Sequence, residues 1–136
     1  MDDVQKWRRF KIDKLIRDKM PDIMRSMGLK VYERTVDLDE YLSVLKLKLV
    51  EEATEVFNAK SLEEITEELA DVYEVFLSLC KAQNIDIAVI EKARIDKKEQ
   101  KGGFDNRIYN KCVEIEANNP FIKYYLNNKE AYPEEV

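Results

Sequence analysis

Four acidic residues are spaced so that they could bind one cation. Glu52 and Glu55 lie in one stretch that is predicted to be helical, and Glu68 and Asp71 lie in the next. Because residues three positions apart share a face of an α-helix, each stretch presents a pair of carboxylates on one face. A short polar break at residues 58–61 separates the stretches. If the two helices fold back as a hairpin, both pairs meet at similar distances from the turn.

The carboxylate pairs lie at the apolar faces of these helices rather than on solvated faces. Glu52 occupies one position of an apolar seam that repeats at intervals of four and three residues, and Lys48, one turn earlier, is expected to pair with it. Glu68 and Asp71 lie along one edge of the seam in the second helix. The predicted seam residues are Leu38, Leu42, Leu45, Leu49 and Val56 in the first helix and Ile65, Leu69, Val72, Phe76 and Leu79 in the second.

Partly buried carboxylates repel one another and are costly to remove from water, so they must take up protons or bind a cation. A set of oxygen ligands selects a hard divalent cation, Mg²⁺ or alternatively Mn²⁺. Such pairs on facing helices are a known way to build a metal site in a helical bundle. The other interpretation is a pair of glutamate-rich amphipathic helices whose acids form surface pairs with lysines.

Basic residues at two places are candidates for binding phosphate. Lys14 and Arg17 precede a short predicted helix, whose N-terminal N–H groups would also favour anions. Lys97 and Lys101 are four residues apart in the last turns of a later helix, so they share a face that could hold a polyphosphate. The alternatives are an ordinary basic surface turn for the first pair and cations that complement the helix dipole for the second.

Capping residues and helix breakers predict an all-α fold, a bundle of two long antiparallel helices plus shorter ones. Asp37 and Ser61, each followed three residues later by Glu, are expected to cap the two long helices. Residues 31–36 are rich in β-branched and aromatic side chains and predict a short extended link, too little for a sheet. The predicted helices run over about residues 19–27, 38–58, 62–83, 86–102 and 119–126.

Composition excludes several classes of protein. A net charge of -5 argues against binding to a nucleic-acid polymer, and the absence of histidine excludes every catalytic triad that uses it. No apolar run approaches the roughly 20 residues that cross a bilayer, so no membrane span is expected. Cys80 lies in an apolar stretch and is expected to be a buried free thiol, which fits a cytoplasmic protein. The length fits a single domain over residues 1–136, completed by oligomerisation.

The acidic motif also resembles that of a known family. The E-E-x-x-E of Glu51, Glu52 and Glu55, followed by the E-x-x-D of Glu68 and Asp71, resembles the signature of the all-α nucleoside triphosphate pyrophosphohydrolases, the MazG-like and phosphoribosyl-ATP pyrophosphohydrolase-like superfamily. The resemblance covers roughly residues 12–109, and residues 110–136 form a C-terminal extension beyond it. Its four ordered blocks are KLIRDKMPDI at 14–23, KLKLVEEATE at 46–55, EELADVYEV at 67–75 and KKEQKGGFDNRI at 97–108.

The resemblance implies hydrolysis of a nucleoside triphosphate between its α and β phosphates, which yields a nucleoside monophosphate and pyrophosphate. It implies that Glu52, Glu55, Glu68 and Asp71 are magnesium ligands and that Glu51 is an outer group that orients water. Two alternatives are a catalytically silent helical binding or regulatory protein of the same fold, and an enzyme acting on phosphoribosyl-ATP. The apolar seams would pair in a homodimer or homotetramer. For such chemistry, we assign binding of the β and γ phosphates to Lys14, Arg17, Lys97 and Lys101.

Overall fold

The structure, a computed structural model, describes residues 6–136, so the first five residues of the predicted domain lie outside the described residues. The helices are α1 (Met20–Ser26), α2 (Leu38–Asn58), α3 (Leu62–Ala82), α4 (Ile87–Lys101) and α5 (Ile122–Leu126). No strand occurs within residues 6–136, and the link at 31–36 is irregular. The predicted all-α fold is therefore confirmed.

The capping residues lie where the sequence predicted them. The side chain of Asp37 accepts a hydrogen bond from the backbone N–H of Glu40 at 2.9 Å, and the Ser61 hydroxyl accepts one from Glu64 at 3.1 Å. These bonds satisfy N–H groups that have no partner within the helix. Gly102 ends α4 with a φ of +86°, a left-handed conformation that suits glycine. Local sequence signals thus determine the helix boundaries.

The two long helices form a hairpin, because only residues 59–61 connect α2 to α3. Their packing against each other is the one extensive helix–helix contact in the described part of the chain. The fully buried apolar side chains among the described residues are Leu45 on α2 and Val75 and Cys80 on α3. Cys80 is a free thiol, as expected. A core this small leaves much apolar surface on the hairpin exposed.

The buried face of α3 differs from the predicted seam at one residue, Leu69. Leu69 is 51% exposed, whereas Val75 is buried and Glu68 and Val72 are half-buried. The other predicted seam residues, Ile65, Val72, Phe76 and Leu79, are half-buried, so Glu68 and Val75 share their inward face. Because α3 carries apolar residues over a wide arc, periodicity alone does not determine which part of that arc faces α2. Glu68 consequently lies in the seam rather than at its edge.

Residues 6–96 and 97–136 form two compact units, with the division inside α4. The second unit contains α5, where the hydroxyl oxygens of Tyr124 and Tyr132 lie 3.3 Å apart and the ring of Tyr125 packs edge-on against both. Cys112, also in this unit, is an exposed free thiol. Among the described helices, none combines the length and apolar character that crossing a membrane requires.

Candidate functional site

Three carboxylates converge across the hairpin. Glu52 on α2 and Glu68 and Asp71 on α3 each offer one carboxylate oxygen, and these oxygens lie within 4.8 Å of one another. Glu52 is only 8% exposed, and the other two side chains are half-buried. We refer to these three residues as the acidic cluster. The hairpin thus brings carboxylates of both helices together, as the spacing of the acids predicted.

The donor atoms of the acidic cluster fit a hard divalent cation. All three are carboxylate oxygens, the ligand type that Mg²⁺ and Mn²⁺ prefer. The chemistry of the residues present is therefore compatible with a magnesium or manganese site.

Electrostatics at Glu68 also favour a cation. Burial raises the pKa of the Glu68 carboxyl, and the negative charges of Asp71, Glu55 and Glu52 raise that pKa further. Within residues 6–136, Glu68 forms no ion pair that would offset this repulsion. A cation bound between the three carboxylates would relieve it.

Glu51 is held by two lysines beside the cluster. The Nζ of Lys14 lies 2.9 Å from its Oε1, and the Nζ of Lys48 lies 3.0 Å from its Oε2. Burial acts to raise the pKa of Glu51, but the hydrogen bonds from Lys14 and Lys48 outweigh it, so that the pKa is lowered. The hydrogen bond from Lys14 to Glu51 also raises the pKa of Lys14. Glu51 is thus an ionised carboxylate one residue away from the cluster.

Lys48 also approaches the cluster itself. Its Nζ lies 3.6 Å from Glu52 Oε1, one turn along α2, in addition to its contact with Glu51. Its side chain is largely buried. This confirms the predicted structural pair between Lys48 and Glu52, and it partly compensates the cost of burying the Glu52 carboxylate.

Arg17 pairs with the third member of the cluster. Its Nη2 lies 2.6 Å from Asp71 Oδ1. The sequence predicted Lys14 and Arg17 at the N-terminus of α1, whereas the structure directs both side chains to acidic residues of the hairpin. A signal in the sequence could have indicated these pairs: the basic residues within 14–19 carry the charge opposite to that of the acidic motif, so the two segments attract each other. Their predicted role in phosphate binding stays a prediction.

Three other predicted site residues lie outside these contacts. Glu55 is exposed on α2 and is not one of the three converging carboxylates, although its charge raises the pKa of Glu68. Lys97 and Lys101 are exposed on the last turns of α4, in the unit formed by residues 97–136. Their assignments as metal ligand and phosphate-binding residues likewise stay predictions.

A shallow cleft of about 180 Å³ opens beside Glu51. It lies between the segment before α1 and the middle of α2. Its walls combine polar and apolar residues, namely Asp13, Lys14, Lys48 and Glu51 with Leu15, Val44 and Leu47. Sites for small-molecule ligands usually measure about 300–1,000 Å³, so this cleft alone is too small for a whole nucleotide.

One protein family model matches the part of the chain that contains α1, the hairpin and most of α4. The phosphoribosyl-ATP pyrophosphohydrolase family model matches residues 20–98, more than half of the 136-residue chain. The matched range contains every residue of the acidic cluster together with Glu51 and Glu55, while Lys14, Arg17 and Lys101 lie outside it. Searches of curated proteins and of solved structures found nothing that matches the chain.

Proposed function

The chain belongs to the phosphoribosyl-ATP pyrophosphohydrolase family, and on that basis we propose that it is an enzyme that cleaves a nucleoside triphosphate between the α and β phosphates. The products are a nucleoside monophosphate and pyrophosphate. The observation that carries the proposal is the convergence of Glu52, Glu68 and Asp71 within 4.8 Å on the matched hairpin. Carboxylates that repel one another lower the stability of the hairpin, so their presence at this place favours a functional role.

The acidic cluster, with Glu55 as a fourth ligand, would hold Mg²⁺, or Mn²⁺ in its place. A bound ion of this kind supplies positive charge to the phosphate oxygens and lowers the pKa of water. Glu55 lies three residues after Glu52 on the same helix face, and its charge raises the pKa of Glu68, which supports its place beside the cluster.

The chain's own groups perform the remaining tasks. Glu51, ionised between two lysines, accepts a hydrogen bond from the attacking water and orients it toward the α phosphorus. The water oxygen bonds to that phosphorus while the bond from phosphorus to the α,β-bridging oxygen breaks. The water proton passes to solvent, and the pyrophosphate leaves as an anion. Lys14 and Arg17 bind the β and γ phosphates and stabilise the charge of that leaving group. The same role for Lys97 and Lys101 remains the prediction made from the sequence.

Phosphoribosyl-ATP is a second candidate substrate, because the matching family is named for the pyrophosphohydrolase that acts on it. This compound contains the same phosphoric anhydride, so the same residues would act on it. A catalytically silent binding or regulatory protein with this fold is the third candidate. It predicts no pyrophosphate release from any substrate.

We also propose that a second copy of the chain completes the molecule, as a homodimer or homotetramer. The face of α2 opposite the hairpin core carries Leu47, Val50 and Phe57, which are 68%, 65% and 87% exposed. A helix that is apolar on two faces is normally covered on both. The small core of the hairpin and the small cleft beside Glu51 are both consistent with further protein at this surface. A cytoplasmic location, suggested by the free thiols, belongs to the same proposal.

The test is an assay for pyrophosphate release with Mg²⁺, across the ribo- and deoxynucleoside triphosphates and phosphoribosyl-ATP, with products identified by mass. The expected result is pyrophosphate and the matching monophosphate, lost on addition of a chelator and in the Asp71→Asn variant. Orthophosphate as the product would contradict the assigned cleavage position. No turnover of any substrate would favour the silent binding protein.

A further inference from the structure

The guanidinium of Arg17 forms an ion pair with Asp71, a carboxylate that would also bind the proposed divalent cation. Its Nη2 lies 2.6 Å from Oδ1 of Asp71, and Asp71 is one of the three residues whose oxygens converge in the acidic cluster. Resting on the function proposed above, we propose that Arg17 and the divalent cation compete for Asp71, so that cation binding releases Arg17 to the phosphates of the substrate. Arg17 would thus couple the two binding events.

Repulsion between like charges is the reason for competition. A guanidinium and a divalent cation on the same carboxylate repel each other at short range, so each weakens the binding of the other. The Arg17 side chain is 59% exposed and the Asp71 side chain 36%, so water can solvate the guanidinium once it leaves. Leaving breaks no backbone contact, because the hydrogen bond from Met20 N–H to the Arg17 carbonyl does not involve the side chain.

Lys14 provides the fixed point for this exchange. It pairs with Glu51, which is not a member of the acidic cluster, through a 2.9 Å hydrogen bond. Because the Lys14 ammonium has three N–H donors, it can keep this bond to Glu51 while another N–H binds phosphate, so the segment before α1 stays against α2. A released Arg17 therefore stays beside the cluster, where the substrate phosphates must lie. Arginine suits this position because its planar guanidinium can bind two phosphate oxygens at once.

The exchange makes binding of cation and substrate cooperative. Without cation, Arg17 is neutralised by Asp71 and has little affinity for phosphate. With cation, the guanidinium is unpaired, and the substrate gains one more cationic contact. Bound substrate likewise raises the affinity of the protein for the cation, because linkage between two binding sites is reciprocal.

The first experiment measures binding of Mn²⁺ alone, with no nucleotide, by electron paramagnetic resonance of the free ion. We expect Arg17→Gln to bind Mn²⁺ about 2- to 5-fold more tightly than the unmodified protein, the range of exposed ion pairs. Arg25→Gln is the matched control, since Arg25 also binds a carboxylate, that of Glu33 at 2.6 Å, outside the acidic cluster. It removes the same charge and should leave Mn²⁺ affinity unchanged.

The outcomes separate this inference from the proposed function. Equal or weaker Mn²⁺ binding by Arg17→Gln, with clear binding by the unmodified protein, overturns the competition but leaves the metal site standing. Equally tighter Mn²⁺ binding by both arginine variants also overturns the competition, because the effect would then come from the loss of a positive charge alone. No Mn²⁺ binding by any of the three proteins overturns the metal site and the inference together.

A second experiment tests the coupling with a triphosphate analogue whose α,β-bridging oxygen is a methylene group. Its affinity is measured by calorimetry with and without Mn²⁺. The enhancement caused by Mn²⁺ should fall about 2- to 5-fold in Arg17→Gln and should be partly retained in Arg17→Lys, which keeps the charge but not the two-point geometry. An enhancement unchanged in Arg17→Gln would contradict the release of Arg17 to phosphate.

Discussion

Glu52 on α2 and Glu68 on α3 face each other across the hairpin, and each places a carboxylate oxygen within 4.8 Å of the other. Both occupy seam positions at which a helical hairpin would normally carry apolar side chains. Two like charges at such positions destabilise the fold unless something positive lies between them. Repulsion within the acidic cluster should therefore lower the stability of the cation-free fold, and this loss can be measured by unfolding.

Replacing Glu68 by Gln should stabilise the protein when a chelator has removed divalent cations. The pKa of Glu68 is raised by burial and by neighbouring acids, so its ionised form destabilises the folded state. This penalty is fully present above the raised folded-state pKa and disappears as pH falls below the ordinary carboxyl range. We therefore expect Glu68→Gln to melt at a higher temperature at pH 7 and the difference to vanish near pH 4.

The measurement is thermal unfolding followed by circular dichroism across that pH range. Glu63→Gln, which removes an exposed acid from the first turn of the same helix, is the matched control and should show no comparable gain. A melting temperature for Glu68→Gln equal to or below that of the unmodified protein at pH 7 would show that repulsion at Glu68 is already relieved.

Replacing Asp71 by Asn should nearly abolish pyrophosphate release. The change keeps the shape of the side chain but removes a charge from the acidic cluster. Losing an outer partner of a metal ligand already costs about 10- to 100-fold, so we expect a loss of at least about 100-fold. The assay is initial-rate pyrophosphate release at saturating Mg²⁺, with unchanged helicity as the check on folding. Activity within threefold of the unmodified protein would remove Asp71 from the site.

Glu55 and Glu52 should differ in how their loss responds to added metal. Glu55 is exposed and lies outside the acidic cluster, whereas Glu52 is its buried member. We expect Glu55→Gln to need about 10-fold more Mg²⁺ for half-maximal activity and to recover at high Mg²⁺, while Glu52→Gln does not recover. The measurement is the rate as a function of Mg²⁺ concentration. An unchanged Mg²⁺ requirement in Glu55→Gln would exclude it as a ligand.

Local signals in the sequence were sufficient for the helix ends and for the convergence of Glu52, Glu68 and Asp71, but Glu55, predicted to join them, is not among the converging carboxylates. Asp37, Ser61 and Gly102 determine helix ends through their own hydrogen bonds or backbone conformation, so each could be predicted from a few residues. The rotation of α3 about its axis could not be predicted in this way. Both Leu69 and Val75 lie on its wide apolar arc, and packing against α2 decides which of them is buried. Likewise, the pairing of Arg17 with Asp71 depends on where the chain before α1 crosses the hairpin.

The outer face of α2 allows a direct test of self-association. Leu47, Val50 and Phe57 follow a helical spacing opposite the core residue Leu45, and burying a side chain such as Phe stabilises by about 1.5–3 kcal/mol. In a symmetric dimer each substitution acts twice, so Phe57→Glu should weaken association by at least about 100-fold. Sedimentation equilibrium should then show the 16.1 kDa monomer in place of a larger species. Asn58→Glu adds the same charge at the next residue, which is polar and exposed, and should leave the mass unchanged. A monomeric mass for the unmodified protein at high concentration would show that no second copy covers this face.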